Sequence, residues 1–440
     1  MILEESMEKK VAVVGLGYVG LPLALTYVLG GFQVAGVDVD AQRIEAIRSA
    51  SLGMREDFDG VPVNDVLRKC LAAGNLVVTS AFAELPGDIH TYIITVGIPI
   101  DDDWNLDMSM LRSACLSLGG LLKRGDLVIC RSTVPVGTTR GLVMSALEEA
   151  SGLKAGVDFD LAYSSERIAE GRAYDEFRTM PLVVGGINSN SLERAAEVLG
   201  AINTKPVFKA SSIELVEAAK MFENAQRDVN IAVANQVARF ANRFGIPAWE
   251  LIDACNTHTR VKILAPGIGV GGHCIPYASP YLFGSLTDAG ERDELLPTFV
   301  SAREANAAQP AYIAGRMAQA LHGTSGRRVL FVGIAMKDYS DDVTVSPAVA
   351  LARTLEEAGA VVHVLDAVAD VPARFDRETD LSAAVRWAEA VVLPIRQSGV
   401  DYDMLRRLVL GVEGRLCVCD FRGIFRDDPA FTGQPWYMHL

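Results

Sequence analysis

The segment that most constrains the fold is Val11–Leu29, in which an apolar run passes through three spaced glycines into a helical stretch. The glycines Gly15, Gly17 and Gly20 form a Gly-x-Gly-x-x-Gly motif. In such a motif the first glycine makes a tight turn, the second lets a ligand approach the backbone, and the third lets the helix pack on the strand. The segment therefore predicts the first strand and helix of a doubly wound α/β domain.

Short apolar runs alternate with helical stretches from Lys10 to about Asn203 and again from about Arg327. This alternation is typical of parallel sheets covered by helices on both faces. We predict an α/β fold with two doubly wound Rossmann-like domains, joined by a long central helix and a helical dimerisation region. The predicted domains are residues 1–203, 204–312 and 313–440. The predicted strands are Val11–Gly15, Val34–Asp38, Leu76–Thr79, Tyr92–Val96, Leu127–Arg131, Leu182–Gly185, Val329–Gly333, Val361–Asp366, Ala390–Pro394 and Leu416–Asp420.

One long helix is predicted between the two alternating segments. Ser211 and Glu214 have the spacing of a capping box, and Gly245 with Pro247 ends the helix at about Phe244. Its small and apolar residues cover more than one face, so a second chain or domain is expected to pack against it. We predict a homodimer built on this helix; burial within the monomer is the alternative.

Composition excludes several classes of protein. With 50% hydrophobic and 22% charged residues, the chain can bury cores and is not disordered. A formal net charge of −14 disfavours nucleic acid as a partner. No apolar run is long enough for a membrane helix, and the charged N-terminus is unlike a signal peptide. A cytoplasmic protein with free cysteines and no membrane partner is therefore predicted.

The glycine motif and an acid downstream predict a dinucleotide site. Asp38 ends the second predicted strand, where a carboxylate accepts hydrogen bonds from the adenine ribose and repels a 2′-phosphate. We therefore predict NAD as the cofactor, and a tight turn that binds no ligand is the alternative. The residues predicted to bind NAD from this segment are Gly15, Gly17, Tyr18, Val19, Gly20, Asp38 and Arg43.

A second concentration of glycine, in Pro266–Pro276, ends in a thiol. Four glycines within six residues let the backbone approach a ligand closely, and Cys274 follows them. A thiol beside an NAD site suggests that an aldehyde is oxidised through a thiohemiacetal and a thioester. No metal site is predicted, because His258 and His273 have no second ligand at a recognisable spacing.

Three further residues have side chains suited to this chemistry. Lys220 and Asn224 lie four residues apart on the predicted helix and would present an ammonium and an amide to an oxyanion. Glu166 follows a strand-like stretch, where active-site residues of α/β proteins lie, and would assist proton transfer. The alternatives are a solvated lysine, a surface asparagine and a carboxylate that stabilises a helix dipole.

Together these motifs resemble the nucleotide-sugar 6-dehydrogenase family, which includes UDP-glucose, GDP-mannose and UDP-N-acetylhexosamine dehydrogenases. The resemblance spans nearly the whole chain and includes Ser132–Thr138, Glu166–Gly171 and Gly271–Cys274. It implies oxidation of a sugar C6 alcohol to a carboxylate with two NAD consumed. It also implies that the N-terminal domain holds NAD and the C-terminal domain the nucleotide, that Thr133 lies beside the nicotinamide, and that Arg260 reaches the sugar site of a neighbouring subunit.

The same resemblance implies a full set of site residues. The catalytic residues are Cys274, Lys220, Asn224, Glu166 and Thr133. Further cofactor-binding residues are Thr133, Glu170 and Lys337, and the substrate-binding residues are Glu166, Arg167, Lys220, Asn224, Arg260, Gly271 and Lys337. The segments Glu223–Ala232 and Gly271–Cys274 are more similar to the N-acetylhexosamine branch, which favours UDP-GlcNAc or UDP-ManNAc over UDP-glucose as substrate.

The sequence departs from the family pattern at three places near the site. The family has an Asp four residues after the nucleophile, whereas this chain has Ala278. Met336–Pro347 lacks the family's arginine, and a Val-Pro-Thr-Pro near the cofactor is replaced by Val96–Pro99. Two alternatives therefore stay open: oxidation that stops at the aldehyde or uses NAD transiently to change a stereocentre, and a binding or regulatory protein without turnover. Capsule, envelope-polysaccharide and secondary-metabolite pathways are all compatible with the sequence.

Overall fold

A computed structural model describes residues 9–54, 56–101, 104–169, 171–272, 274–286, 289–412 and 416–440. The chain divides into two compact units. The first comprises Met1–Phe222 with Pro280–Thr287, and the second comprises Glu223–Ser279 with Asp288–Leu440. Within the described ranges, every helix is too short or too polar to cross a membrane.

The first unit is an α/β unit around one large sheet, and it also contains a short antiparallel pair of strands, β3 and β4. The strands of the unit are β1 (Lys10–Val14), β2 (Gln33–Val37), β3 (Asp57–Phe58), β4 (Val61–Pro62), β5 (Leu76–Thr79), β6 (Thr91–Ile94), β7 (Leu127–Cys130), β8 (Asp160–Tyr163), β9 (Val183–Gly186) and β10 (Phe208–Lys209). Its helices are α1 (Gly20–Leu29), α2 (Ala41–Arg48), α3 (Val63–Ala72), α4 (Ser109–Gly119), α5 (Met144–Ser151), α6 (Ala173–Thr179) and α7 (Ser189–Gly200), with a 3₁₀ turn at Phe82–Glu84 and a π-helical turn at Thr139–Val143.

The strand order of this sheet is β10-β9-β8-β7-β6-β1-β2-β5. The strands from β8 to β5 are parallel, as predicted. The bounds predicted for β1, β2, β5, β6 and β7 are correct to within two residues, and β8 was expected only as a strand-like stretch before Glu166. The expectation of a parallel strand near Leu182–Gly185 was wrong, because β9 pairs with β8 in antiparallel orientation. An antiparallel strand at the edge of an otherwise parallel sheet is common in folds of this class. The carboxyl ends of β1, β2, β6, β7 and β8 therefore share one edge of the sheet.

The second unit contains a smaller sheet and most of the remaining helices. Its six-stranded sheet has the order β13-β12-β11-β14-β15-β16 and all its pairings are parallel. The prediction of a second Rossmann-like sheet is confirmed. The strands are β11 (Arg328–Val332), β12 (Val361–Leu365), β13 (Asp376–Glu378), β14 (Ala390–Leu393), β15 (Cys417–Asp420) and β16 (Tyr437–His439). The helices after residue 245 are α9 (Ala248–Asn256), α10 (Ile275–Phe283), α11 (Ala289–Leu295), α12 (Pro297–Ala307), α13 (Gln309–Ala320), α14 (Pro347–Glu357), α15 (Leu381–Trp387) and α16 (Tyr402–Gly411).

The long helix α8 runs over Ile213–Phe244, as the sequence predicted. Its cap differs from the prediction, because the Ser212 hydroxyl, and not that of Ser211, accepts the hydrogen bond from Leu215 N at 3.1 Å. Polar residues recur along the buried face of α8 at helical spacing, and each is 9% exposed or less: Glu217, Lys220, Asn224, Asp228 and Asn235. Buried polar groups need partners, so this face is built for more than packing.

Candidate functional site

The turn between β1 and α1 has room only for glycine at two positions. Gly15 has a φ of +92° and its backbone N–H donates to Val37 O at 2.8 Å. A Cβ on Gly15 would lie 3.1 Å from the carbonyl carbon of Thr95, and a Cβ on Gly20 would lie 1.8 Å from Gly15 O. The turn therefore brings the start of α1 close to β1, with the free N–H groups of the helix at the carboxyl edge of the sheet.

A cavity of about 550 Å³ opens beside this turn in the first unit. Its volume is in the range of ligand pockets. Of the residues predicted to bind NAD, Gly15, Gly17, Asp38 and Arg43 line it. Tyr18, Val19 and Gly20 lie outside its lining, and Tyr18 is 62% exposed. The other lining residues are Val14, Val37, Val39, Asp40, Phe82, Thr95, Val96, Gly97, Ser109, Met110, Ser113, Ala114 and Ser117.

The Asp38 carboxylate, which lines this cavity, is held in place by the backbone. Its Oδ2 accepts from Leu16 N at 2.8 Å and its Oδ1 accepts from Asp40 N at 3.0 Å. The Arg43 guanidinium lies 3.9 Å from the same carboxylate. A fixed carboxylate at the end of β2 accepts ribose hydroxyls and repels a phosphate. The glycine cradle, the cavity and this acid together fit NAD.

Sequence reasoning missed the side of the cavity formed by α4. Ser109, Ser113 and Ser117 line it from one face of that helix, at four-residue spacing. This spacing of small polar residues was the available signal. Thr95 was also missed, although it directly follows an apolar strand; its hydroxyl donates to Gly15 O at 2.7 Å.

Glu166 lies beyond the end of β8 and is paired with an arginine that the sequence did not identify. Arg131, at the end of β7, places its Nη2 at 2.7 Å from Glu166 Oε2, and the two side chains are only 2% and 9% exposed. The other oxygen of Glu166 accepts from the backbone N–H groups of Arg167 and Ile168 at 2.6 and 3.0 Å. The carboxylate is thus fixed in place by one cation and two amides. The predicted substrate residue Arg167 donates from its Nη1 to Pro181 O at 2.8 Å.

Thr133 is half-buried in the turn after β7, and a second acid that the sequence did not identify holds that turn to α8. Glu217 is fully buried; its carboxylate accepts from Gly137 N at 2.6 Å and from Thr139 N at 2.9 Å. Burial raises the pKa of Glu217, and these N–H donors oppose that rise. Its position one turn before Lys220 was the only signal in the sequence. Glu217 therefore links the turn that carries Thr133 to the helix that carries Lys220.

The second unit holds the predicted nucleophile. Cys274 is exposed and lies directly before α10, where the free N–H groups of the helix favour negative charge. The side-chain amide of Asn224, on α8, donates to Cys274 O over a long distance of 3.4 Å. The structure therefore brings together two of the five predicted catalytic residues within this unit. The buried Lys220 lies four residues before Asn224 on the same helix.

Residues 266–274, here called the thiol loop, pack tightly on the segment Met336–Pro347; His273 lies outside the described residues. A Cβ on Gly271 would lie 2.8 Å from Pro347 Cδ, and a Cβ on Gly272 would lie 2.6 Å from Met336 Sδ. The backbone path therefore favours glycine at Gly271, which has no space for a Cβ, and at Gly272, which has a φ of +87°. The predicted Lys337 and Arg260 are both exposed in this unit, and the predicted Glu170 lies outside the described residues.

Comparison with known proteins identifies the family. A model of the UDP-glucose/GDP-mannose dehydrogenase family NAD binding domain matches residues 9–203, and a model of the same family's central domain matches residues 214–308. The chain belongs to this family. Its fold class and its NAD cofactor are as the sequence predicted, and it is an NAD-dependent dehydrogenase of the nucleotide-sugar class.

Individual members of the UDP-glucose/GDP-mannose dehydrogenase family are similar to this chain over most of their length. The UDP-N-acetyl-D-mannosamine dehydrogenase of Pyrococcus horikoshii is 32% identical, over 95% of this chain and 100% of the relative. The UDP-N-acetyl-D-glucosamine 6-dehydrogenase of Pseudomonas aeruginosa is 34% identical, over 81% of this chain and 82% of the relative. The solved structure of the UDP-D-ManNAc dehydrogenase from Pyrococcus horikoshii superposes with a TM-score of 0.86 at 29% identity, covering 98% of this chain and 99% of that one.

Proposed function

We propose that this protein oxidises the C6 hydroxyl of a UDP-N-acetylhexosamine, UDP-GlcNAc or UDP-ManNAc, to the uronate through a covalent intermediate on Cys274, with UDP-glucose as the next candidate substrate. The observation that carries the proposal is the exposed thiol of Cys274 at the start of α10. The backbone carbonyl of Cys274 accepts a hydrogen bond from the buried side-chain amide of Asn224. Relatives named for UDP-N-acetyl sugars support the choice of substrate.

Two oxidations and one hydrolysis make up the proposed reaction. NAD, held by the turn at Gly15 and Gly17 and by Asp38, would supply the hydride acceptor for each oxidation. In the first, the C6 hydroxyl loses its proton and its C6 hydride and becomes an aldehyde. The Cys274 sulfur then adds to the aldehyde carbon to form a thiohemiacetal, which loses a second hydride and becomes a thioester. Water then attacks the thioester carbon, which releases the uronate and regenerates the free thiol of Cys274.

Each remaining residue has a proposed role in these steps. Lys220 and Asn224 stabilise the oxyanion that develops on the former C6 oxygen, because an ammonium and an amide N–H both donate to negative charge. Glu166 accepts protons directly or through water, and Arg131 keeps its carboxylate in place. Thr133 positions the reacting groups from the turn after β7.

The hydrolytic step is the one for which a family residue is missing. Ala278, buried on α10, stands four residues after Cys274, where the resemblance implies an Asp that activates water. We therefore propose that thioester hydrolysis is slow. A two-electron oxidation that stops at the aldehyde, or a transient oxidation that changes a stereocentre, is the second candidate function, and Ala278 is the observation that favours it.

We also propose that the protein acts as a homodimer through α8. Apolar side chains on this helix are exposed, among them Phe222, Val233, Phe240 and Phe244. A second copy packed on this surface would bury them and would bring its Arg260 to the neighbouring sugar site. Size-exclusion chromatography with light scattering tests this: a dimer that Phe240→Lys splits into monomers supports the interface, and a monomeric wild-type protein contradicts it.

The remaining assignments are also proposals. We assign NAD binding to residues 1–203, the thiol loop and dimer contacts to 204–312, and the nucleotide of the substrate to 313–440. We propose that Lys337 binds the anionic substrate and also contacts the cofactor. We propose that Glu170 contacts the cofactor. All seven cysteines are free, which is typical of a reducing compartment, so we place the reaction in the cytoplasm.

The deciding experiment is the number of NADH formed per sugar consumed, with excess NAD and a panel of UDP- and GDP-sugars. Two NADH and a uronate of the correct mass support the proposal. One NADH with an aldehyde supports the second candidate instead, and no NADH with any sugar contradicts both. Cys274→Ala is expected to abolish uronate formation, whereas the matched variant Cys255→Ala, at another thiol of the second unit, keeps it.

A further inference from the structure

The first glycine of the thiol loop is held by two buried side chains from outside the loop. Gly267 N donates to Asn235 Oδ1 on α8 at 2.9 Å, and Gly267 O accepts from Gln309 Nε2 on α13 at 2.9 Å. Both side chains are at most 1% exposed. The two backbone polar groups of Gly267 are therefore fixed from two different helices at once.

Groups that can only accept or only donate, at the ends of this network, set the direction of the hydrogen bonds on both sides of Gly267. The backbone carbonyl oxygen of Asp228 can only accept, and it accepts from Asn306 Nδ2 at 2.9 Å, so the Asn306 side-chain oxygen faces Asn235 Nδ2 at 3.1 Å. This leaves the Asn235 oxygen for Gly267 N. On the other side, Arg239 Nε can only donate to the Gln309 oxygen, at 2.8 Å, which leaves the Gln309 amide N–H for Gly267 O. Neither amide can turn around without breaking two hydrogen bonds.

The described part of the loop after Gly267, residues 268–272, is tightly packed. A Cβ on Gly269 would lie 2.9 Å from Pro347 Cβ, a Cβ on Gly271 would lie 2.9 Å from Val345 O, and Gly272 has a φ of +87°, which favours glycine. A displacement at Gly267 is therefore passed along the loop rather than absorbed by it. Buried amides cost free energy unless every hydrogen bond is made, and apolar side chains would pack α8 against α12 and α13 without that cost.

We propose that Asn235 and Gln309 are positioning residues for Cys274: by fixing both backbone groups of Gly267, they set the path of the loop that presents the thiol. This inference rests on the proposed function, since it gives Cys274 its role. It adds two residues that bind the backbone of the loop and act on the thiol through it.

The test uses Gln309→Glu in the full-length protein. The new carboxylate still accepts from Arg239, so the packing of α13 on α8 is retained, but it cannot donate to Gly267 O and repels it. Hydrogen exchange of the peptide covering residues 266–272 is expected to quicken about tenfold, while the amides of α8 and α13 keep their protection. The kcat for sugar oxidation is expected to fall about tenfold, with KM for NAD unchanged.

The matched control is Asn203→Asp in the first unit. It also changes an amide to an acid and removes donations to two backbone carbonyls, those of Phe177 at 2.6 Å and Met180 at 2.9 Å. It is expected to lower the unfolding temperature while leaving exchange of the thiol loop and kcat as in the wild type. Asn235→Ala, which removes the acceptor for Gly267 N, is the second variant and must quicken exchange of the same peptide.

Three results separate the inference from the function on which it rests. Thiol-loop exchange that stays at the wild-type rate, or that rises equally over α8, α12 and α13, overturns the inference alone. A faster loop with an unchanged kcat also overturns it and leaves the proposed function standing. A wild-type protein that oxidises no nucleotide sugar overturns the proposed function, and the exchange data then report only what holds the loop.

Discussion

Replacing Arg131 by Met should destabilise the first unit strongly, because it leaves a buried carboxylate without its cation. The Arg131 and Glu166 side chains are 2% and 9% exposed and lie 2.7 Å apart. Removing one partner of a buried ion pair costs about 3–5 kcal/mol in general. Glu166 keeps its two backbone N–H donors, so we expect a loss at the lower end, about 3 kcal/mol.

A second substitution separates the lost pairing from lost packing. In the double variant Arg131→Met with Glu166→Gln, the buried group is neutral and still accepts the two backbone N–H groups. We expect the double variant to be more stable than Arg131→Met alone by about 2 kcal/mol. Thermal unfolding followed by circular dichroism is the assay, and a loss of 3 kcal/mol corresponds to a decrease of roughly 6–12 °C for a unit of this size.

The control is Arg124→Met, which removes the cation of a pair with Asp158. Arg124 is 76% exposed, so its removal should leave the unfolding temperature almost unchanged. An Arg131→Met variant as stable as the wild type would refute the reasoning. So would a double variant no more stable than the single one, because the cost would then come from packing and not from an unpaired charge.

Three further predictions concern the cofactor, pH and thiols. Asp38→Asn should weaken NAD binding about tenfold and reduce the preference for NAD over NADP, as measured by fluorescence titration with both dinucleotides. Burial raises the pKa of Glu217 in the folded protein, so as pH rises the unfolded chain loses the Glu217 proton at a lower pH than the folded protein does. The stability that protonated Glu217 contributes is therefore complete below about pH 4.5 and is lost as pH rises through the folded pKa. Glu217→Gln, which cannot ionise, should remove this decrease in the free energy of unfolding with rising pH, and denaturant unfolding at a series of pH values measures it. A hydrogen bond from Cys419 lowers the pKa of the Cys417 thiol, whereas burial raises the pKa of the Cys130 thiol to about 12. Iodoacetamide should therefore alkylate Cys417 in the folded protein and Cys130 only after unfolding, and the masses of the two peptides measure this.

Local patterns in the sequence were sufficient for the scaffold. The bounds of α8 followed from a capping serine at one end and from Gly245 and Pro247 at the other. Only the identity of the cap was wrong, because Ser212 caps the helix and not the predicted Ser211. The turn at Gly15 followed from a motif whose glycines are required sterically. These features depend on residues close in sequence, which is why they could be predicted.

The partners of the site residues could not be predicted in the same way. Arg131 and Glu166 are 35 residues apart, and Gly267 meets Gln309 across 42 residues. Such pairs depend on which strands and helices become neighbours, which local periodicity does not encode. One signal was present but was not used: Glu217, Lys220, Asn224, Asp228 and Asn235 recur at helical spacing on a helix that also carries buried apolar residues. A polar stripe on the face that a helix buries indicates a site.

The proposed reaction depends most directly on the covalent role of Cys274. The measurement is denaturing mass spectrometry of protein quenched with acid during turnover of UDP-GlcNAc or UDP-ManNAc with NAD. Because hydrolysis is proposed to be slow, the peptide that contains Cys274 should carry the acyl mass of the oxidised nucleotide sugar, and this mass should disappear as uronate accumulates. Uronate and two NADH formed with no adduct on Cys274, together with uronate formation by Cys274→Ala, would contradict the account.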